Sequence, residues 1–132
     1  NDLLITKIGR INTENSSLGR VSLYEGESLK ANLSGNLSYI RLKDGVNPKF
    51  ILYILISESY RDYIRRTTPG GIDKRALNNT QIGEFPIILP PSTLQDEFTK
   101  RASMIERKKK SVTSTLDQLQ ELLASRMQYW FD

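Results

Sequence analysis

The residues in this chain best suited to chemistry are cations set among small polar residues and glycines. Between Arg65 and Asn79 stand Arg65, Arg66, Lys74 and Arg75, with Thr67, Thr68, Asn78 and Asn79 around Gly70-Gly71. Cationic side chains bind phosphate oxygens, and a glycine pair lets backbone amides approach the same oxygens closely. The pattern points to a nucleic-acid edge. It also reads as a helix C-terminus, a glycine turn and a helical turn capped by Asp73 over Arg75 to Leu77, with solvated charges. A second group, Lys7, Arg10 and Arg20, flanks a Ser- and Asn-rich loop between two strands. There a duplex can be gripped and base edges probed by Asn12, Asn15 or Ser16, or the loop is a plain hairpin connection.

Most other chemistries lack their residues. With 0 Cys and 0 His, there is no thiolate metal site, no disulfide, and neither the commonest metal ligand nor the commonest general base. Asn47-Pro48-Lys49-Phe50 is similar to the Asn-Pro-Pro-Tyr motif of adenine methyltransferases, but Lys49 replaces the second proline and no glycine-rich cofactor loop follows an early strand. Helix capping by Asn47, with Pro48 at the first helical position, accounts for both residues. No Walker-type phosphate loop is present, and no paired carboxylates stand out. The expectation is a chain without catalytic residues, metal or cofactor of its own. Its net charge of +4 favours a polyanionic partner.

The 132 residues suit one domain, or one domain with an appendage, and leave no room for two separately cored enzyme domains. Composition changes at Pro90-Pro91, which divides the chain into a head, 1–91, and a tail, 92–132. In the head, 2–8, 20–24 and 36–42 read as strands, the first ending at Gly9 and the last closing on the Asp44-Gly45 turn. A helix starts at Asn47-Pro48 and is apolar through Ile56, so it is expected to be buried on most sides. A second helix, capped by Ser57 or Ser59, places Tyr60, Tyr63 and Ile64 on one face and Arg61, Arg65 and Arg66 outward. Phe85 to Leu89 reads as a last strand. The fold class is α+β: a small mixed head followed by one long coiled-coil-forming helix. No stretch is apolar enough to span a bilayer, and the N-terminus lacks the features of a signal peptide, so the expected setting is cytoplasmic, away from membranes.

In the tail, Ser92 with Gln95 reads as a capping box. Phe98, Ala102, Ile105, Val112, Leu116, Leu119, Leu123 and Trp130 then recur at alternating steps of three and four, interrupted at Lys109 and Arg126. Leaving the leucines and Trp130 in water forgoes roughly 1.5 to 3 kcal/mol each, so a partner helix is expected. The run Arg107 to Lys110 wraps around the helix and reads as a solvated face, with DNA contact as the alternative.

Taken in order, the strand from Asp2 to Thr6, the basic loop, the stretches 36–42, 47–50, 60–64, 68–77 and 85–91, and the long helix resemble the type I restriction-modification specificity subunit. The resemblance covers essentially the whole chain. Its most specific part is Ile82 to Phe98, where a terminal strand, the double proline and Gln95 with Phe98 stand in the family's order. It implies a target recognition domain that reads half of a split DNA sequence, and a spacer helix that pairs as an antiparallel coiled coil. It also implies a non-catalytic subunit that docks methylation and restriction subunits, which themselves bring S-adenosylmethionine, ATP and magnesium. Carried over by position, it places Lys7, Arg10, Thr68, Gly70, Gly71 and Lys74 on the DNA side, assigned to phosphate before bases. Arg20, Arg66 and Arg75 join them from the residue reading. Phe98, Ile105, Val112, Leu116, Leu119, Leu123 and Trp130 become the pairing surface, for a homodimer or a second half-subunit. A whole subunit holds two recognition domains and two helices, so one head and one helix imply a fragment or a half-sized subunit. The rivals are a protein-binding coiled-coil adaptor and, third, a metal-dependent nuclease.

Overall fold

A computed structural model of the chain describes residues 2–10, 16–27, 30, 32–68 and 74–131. It is an α+β fold that divides into two compact units, Asn1–Asp96 and Glu97–Asp132. The first contains a three-stranded antiparallel sheet with β1 (Leu3–Thr6) between β3 (Val21–Leu23) and β4 (Leu37–Ile40). Leu3 stands opposite Leu23 and Ile40, and Ile5 opposite Val21 and Ser38. Strand alternation puts both on one face, and both are fully buried. On that core face they join Leu18, Leu77, Ile51 and Leu55 of α1 (Pro48–Leu55), and Tyr60 and Ile64 of α2 (Glu58–Thr67).

The first strand does not run through to Ile8. At Lys7 the chain leaves one sheet for another: its amide donates to the Asn36 carbonyl, and its carbonyl accepts from the Leu77 amide. Residues Ile8–Arg10 then form β2, paired antiparallel with β5 (Lys74–Ala76). Gly9 therefore sits inside a strand rather than ending one. A Cβ there would lie 2.3 Å from Ser17 Oγ and 2.6 Å from the Leu18 amide nitrogen, so glycine is needed for close approach. Strand β5 also replaces the expected helical turn over Arg75 to Leu77, and Asp73 lies outside the described residues. The capped turn comes slightly later, as α3 (Asn79–Gly83), where Asn78 and Gln81 form a reciprocal capping box.

Helix α1 starts where the sequence places it. Asn47 Oδ1 accepts from the Lys49 and Phe50 amides at 2.9 and 3.2 Å, and Pro48 occupies the first helical turn. Its burial is narrower than expected: Ile51 and Leu55, one turn apart, are buried, the residues between are half-buried, and Ile56 is exposed. Ser57 caps α2. The Tyr60 ring is wholly buried and packs edge-on against Phe85 at 5.0 Å. Its hydroxyl has no hydrogen-bond partner among the described residues, and burial pushes its pKa up to about 12.

Residues 85–89 form no strand. Pro86 has no N–H to give a ladder, and only Phe85 turns inward, onto Tyr60 and Tyr63; Ile88 is 86% exposed. Helix α4 (Ser92–Phe131) follows, 40 residues or about 60 Å long. Its start differs from the expected capping box. Ser92 is already helical, and the amides of Leu94 and Gln95 reach the Pro91 carbonyl. The buried Gln95 side chain accepts from the Asn47 amide at 2.9 Å and donates to the Pro90 carbonyl at 2.7 Å, while Asn47 Nδ2 donates to Asp96 Oδ1 at 2.6 Å. These bonds make the first turn of α4 part of the first unit, so the compact unit extends past residue 91.

Candidate nucleic-acid interface

Three basic residues of the first unit, Arg10, Lys74 and Arg75, lie on the β2–β5 ribbon. Its register sets Arg10 opposite Lys74 and Gly9 opposite Arg75. Opposed residues in an antiparallel pair project to the same face, so Arg10 and Lys74, both exposed, present two positive charges side by side. Like charges directly opposite one another are unfavourable in a sheet. Arg75, on the other face, is half-buried, and its Nη1 donates to the Thr68 carbonyl at the end of α2, where the helix dipole favours a cation.

Arg20 joins the ribbon through Ser16. The Ser16 hydroxyl donates to the Arg10 carbonyl, and the Ser16 carbonyl accepts from Arg20 Nε at 2.7 Å. Ser16 is thus buried and occupied, which removes it as a base reader; Asn12 and Asn15 lie outside the described residues. Lys7 is half-buried at the switch between sheets, and Arg66 is exposed near the end of α2, with Nε 3.4 Å from the Asp62 carbonyl. Among the described residues the salt bridges engage Lys30, Arg41, Arg65 and Arg101, and none involves Lys7, Arg20, Arg66 or Lys74.

Three expectations change. Thr68 is not a surface contact: its side chain is buried and its hydroxyl donates to the Ile64 carbonyl at 2.5 Å, closing the last turn of α2. Arg65 is engaged by Glu58 and Asp62 at 2.8 and 2.6 Å, which raises its pKa. Arg61, expected to point outward, is half-buried and donates from Nη1 to the Leu18 carbonyl at 2.5 Å. The signal for it was its place beside the Tyr60–Ile64 face, where a long side chain lies along apolar surface with its head at the rim. Gly70 and Gly71 lie outside the described residues.

The second unit consists of residues of α4. Ile105, Val112, Leu116, Leu119, Leu123, Trp130 and Phe98 are all exposed, as are all four cations from Arg107 to Lys110. Glu97 and Arg101 form an (i, i+4) ion pair at 2.5 Å. Among the described residues no group of three acidic, His or Cys side chains is placed to hold a metal, and no helix is long and apolar enough to cross a membrane. No protein-family model matches the chain, and no curated protein matches it significantly.

Proposed function

We propose that this chain is a DNA-recognition part of a type I restriction-modification specificity subunit. In this reading the ribbon cations Arg10 and Lys74, together with Lys7, Arg20 and Arg66, hold the phosphates of double-stranded DNA. Helix α4 pairs with a second such helix, from another copy or another half-subunit, and sets the distance between two recognition heads. The chain itself catalyses nothing and carries no cofactor; methylation and restriction subunits dock on it. The observation that carries the reading is the coexistence of a heptad stripe left exposed along α4 with a ribbon that opposes two cations.

The test is binding of the full chain to duplexes by fluorescence anisotropy between 50 and 200 mM salt, followed by methylation in a reconstituted complex. Phosphate-led contact requires affinity to fall steeply with salt. Arg10→Glu with Lys74→Glu is expected to abolish site-specific methylation while leaving assembly intact; affinity indifferent to salt contradicts the proposal. The adaptor reading has one observation of its own: Thr68, Arg65 and Arg75 are engaged internally rather than offered to a ligand. Under it, the same double variant changes neither methylation nor assembly.

A further inference from the structure

Beside the ribbon, a cleft of about 390 Å³ opens where residues 16–21 pass the end of α1 and the start of α2. Arg20, Arg61 and Arg65 line it together with the Glu58 carboxylate. Backbone groups hold two of them in place: Arg20 on the Ser16 carbonyl at 2.7 Å and Arg61 on the Leu18 carbonyl at 2.5 Å. Arg65 is matched by Glu58 at 2.8 Å and by Asp62 at 2.6 Å. Among the described residues neither Arg20 nor Arg61 has a carboxylate within ion-pair distance. Arg61 registers the crowding, since partial burial first, and then the charges of Arg65 and Arg20, push its pKa down. A fold that tethers cations together against their repulsion leaves a place for an anion.

We propose that this cleft binds a phosphate group, with Arg20 and Arg61 as the two forks that hold its oxygens. Each uses one N–H on a backbone carbonyl and keeps the rest of its planar donor set for a ligand. One carboxylate is satisfied by a single fork, whereas a phosphate offers oxygens in several directions and can accept from two. The cleft has room for a phosphate group. Only the source of the phosphate rests on the DNA-recognition reading, which makes it a backbone phosphodiester; a free nucleotide is the other source.

The melting temperature of the full chain, measured in inorganic phosphate and in chloride at equal ionic strength, tests the site. Phosphate at ten times its half-saturating concentration is expected to add about 5 °C over chloride. Arg61→Gln and Arg20→Gln are each expected to remove that difference, and Arg61→Lys to restore only part of it. Should Arg61→Gln fail to fold for want of its Leu18 tether, Arg20→Gln decides. Equal melting in the two salts, or a phosphate effect unchanged in Arg20→Gln, overturns the proposal. Duplex binding separates the sources. If DNA supplies the phosphate, Arg20→Gln lowers the slope of log affinity against log salt by about 0.9. A phosphate effect without duplex binding keeps the cleft and removes DNA recognition. Duplex binding with an unchanged slope and no phosphate effect removes the cleft and leaves DNA recognition standing.

Discussion

The two units treat the same kinds of side chain in opposite ways. In the first, Leu3, Ile5, Leu18, Tyr60 and Ile64 are fully buried, and Arg10 with Lys74 on a ribbon and Arg20 with Arg61 in a cleft are brought together by the fold. In the second, Leu116, Leu119, Leu123 and Trp130 are 54, 56, 63 and 72% exposed, and basic residues are distributed around the helix. Burial is the main favourable term in folding, so the first unit holds its stability within itself. The second leaves its apolar stripe exposed in the single chain. A long helix that is stable alone relies on propensity and (i, i+4) pairs, and α4 shows Glu97–Arg101 but also four adjacent cations that oppose one another.

That contrast is broken most directly at the middle of the stripe. In a symmetric pair, Leu119→Lys removes a leucine from both helices, roughly 3 to 6 kcal/mol, so the dimer dissociation constant is expected to rise at least about 100-fold. Sedimentation equilibrium reads it; unchanged mass and melting in the variant, or a wild type monomeric at tens of micromolar, ends the pairing idea. The reciprocal change is Ile5→Ala. It empties a fully buried position at the centre of the three-stranded sheet and is expected to cost about 2 to 5 kcal/mol of first-unit stability. Denaturant unfolding measures the loss, and the mass in native buffer stays as in the wild type. If Ile5→Ala dissociates the dimer, pairing of the helix depends on the first unit's core.

The parts legible in the sequence are those whose causes are local. Asn47-Pro48 announces α1 because a cap and a first-turn proline are adjacent residues, whereas the sequence leaves the cap of α2 open between Ser57 and Ser59, of which Ser57 serves. The span of α4 follows from a stretch free of Gly and Pro with one repeating apolar step. What stayed hidden depends on distant partners. Nothing near Lys7 marks the change of sheet, because its bonds go to Asn36 and Leu77; nothing near Lys74 marks a strand, because its partner is Arg10. Thr68 looked like a phosphate contact by type, and only its hydroxyl's closure onto Ile64 removes it. Phe85 to Leu89 looked like a strand by apolarity, although Pro86 argued against it.

The boundary between the units is sharpened by Asn47, one side chain that both caps α1 and bonds to Asp96. Asn47→Ala is expected to cost about 1 to 2 kcal/mol, the loss of a cap with a second bond. Asn47→Asp is the more informative change. It keeps the acceptor for the Lys49 amide but sets a carboxylate against Asp96, where 2.6 Å now separates donor from acceptor, so it is expected to recover little of the loss. Full recovery in the aspartate variant means that only the cap matters and the tie to α4 is incidental.

The smallest expected effect lies at the exposed edge of the first unit. Arg41 Nε and Nη2 donate to the two Asp2 carboxylate oxygens at 3.1 and 2.7 Å, and the Arg41 guanidinium lies 5.4 Å from the Tyr39 ring. The hydrogen bond from Arg41 holds the Asp2 carboxyl below its ordinary value of 3.8. A carboxyl with a lowered folded pKa stabilises the folded state at pH above its unfolded value, and that contribution fades as pH falls through the folded one. Wild type and Asp2→Asn are therefore expected to differ in melting temperature at pH 7 and to converge in acid below the ordinary Asp range. The pair is open to solvent, so added salt is expected to shrink the pH 7 difference as well. A difference of undiminished size in acid shows that the Asp2 side chain acts through shape or a neutral hydrogen bond rather than through charge.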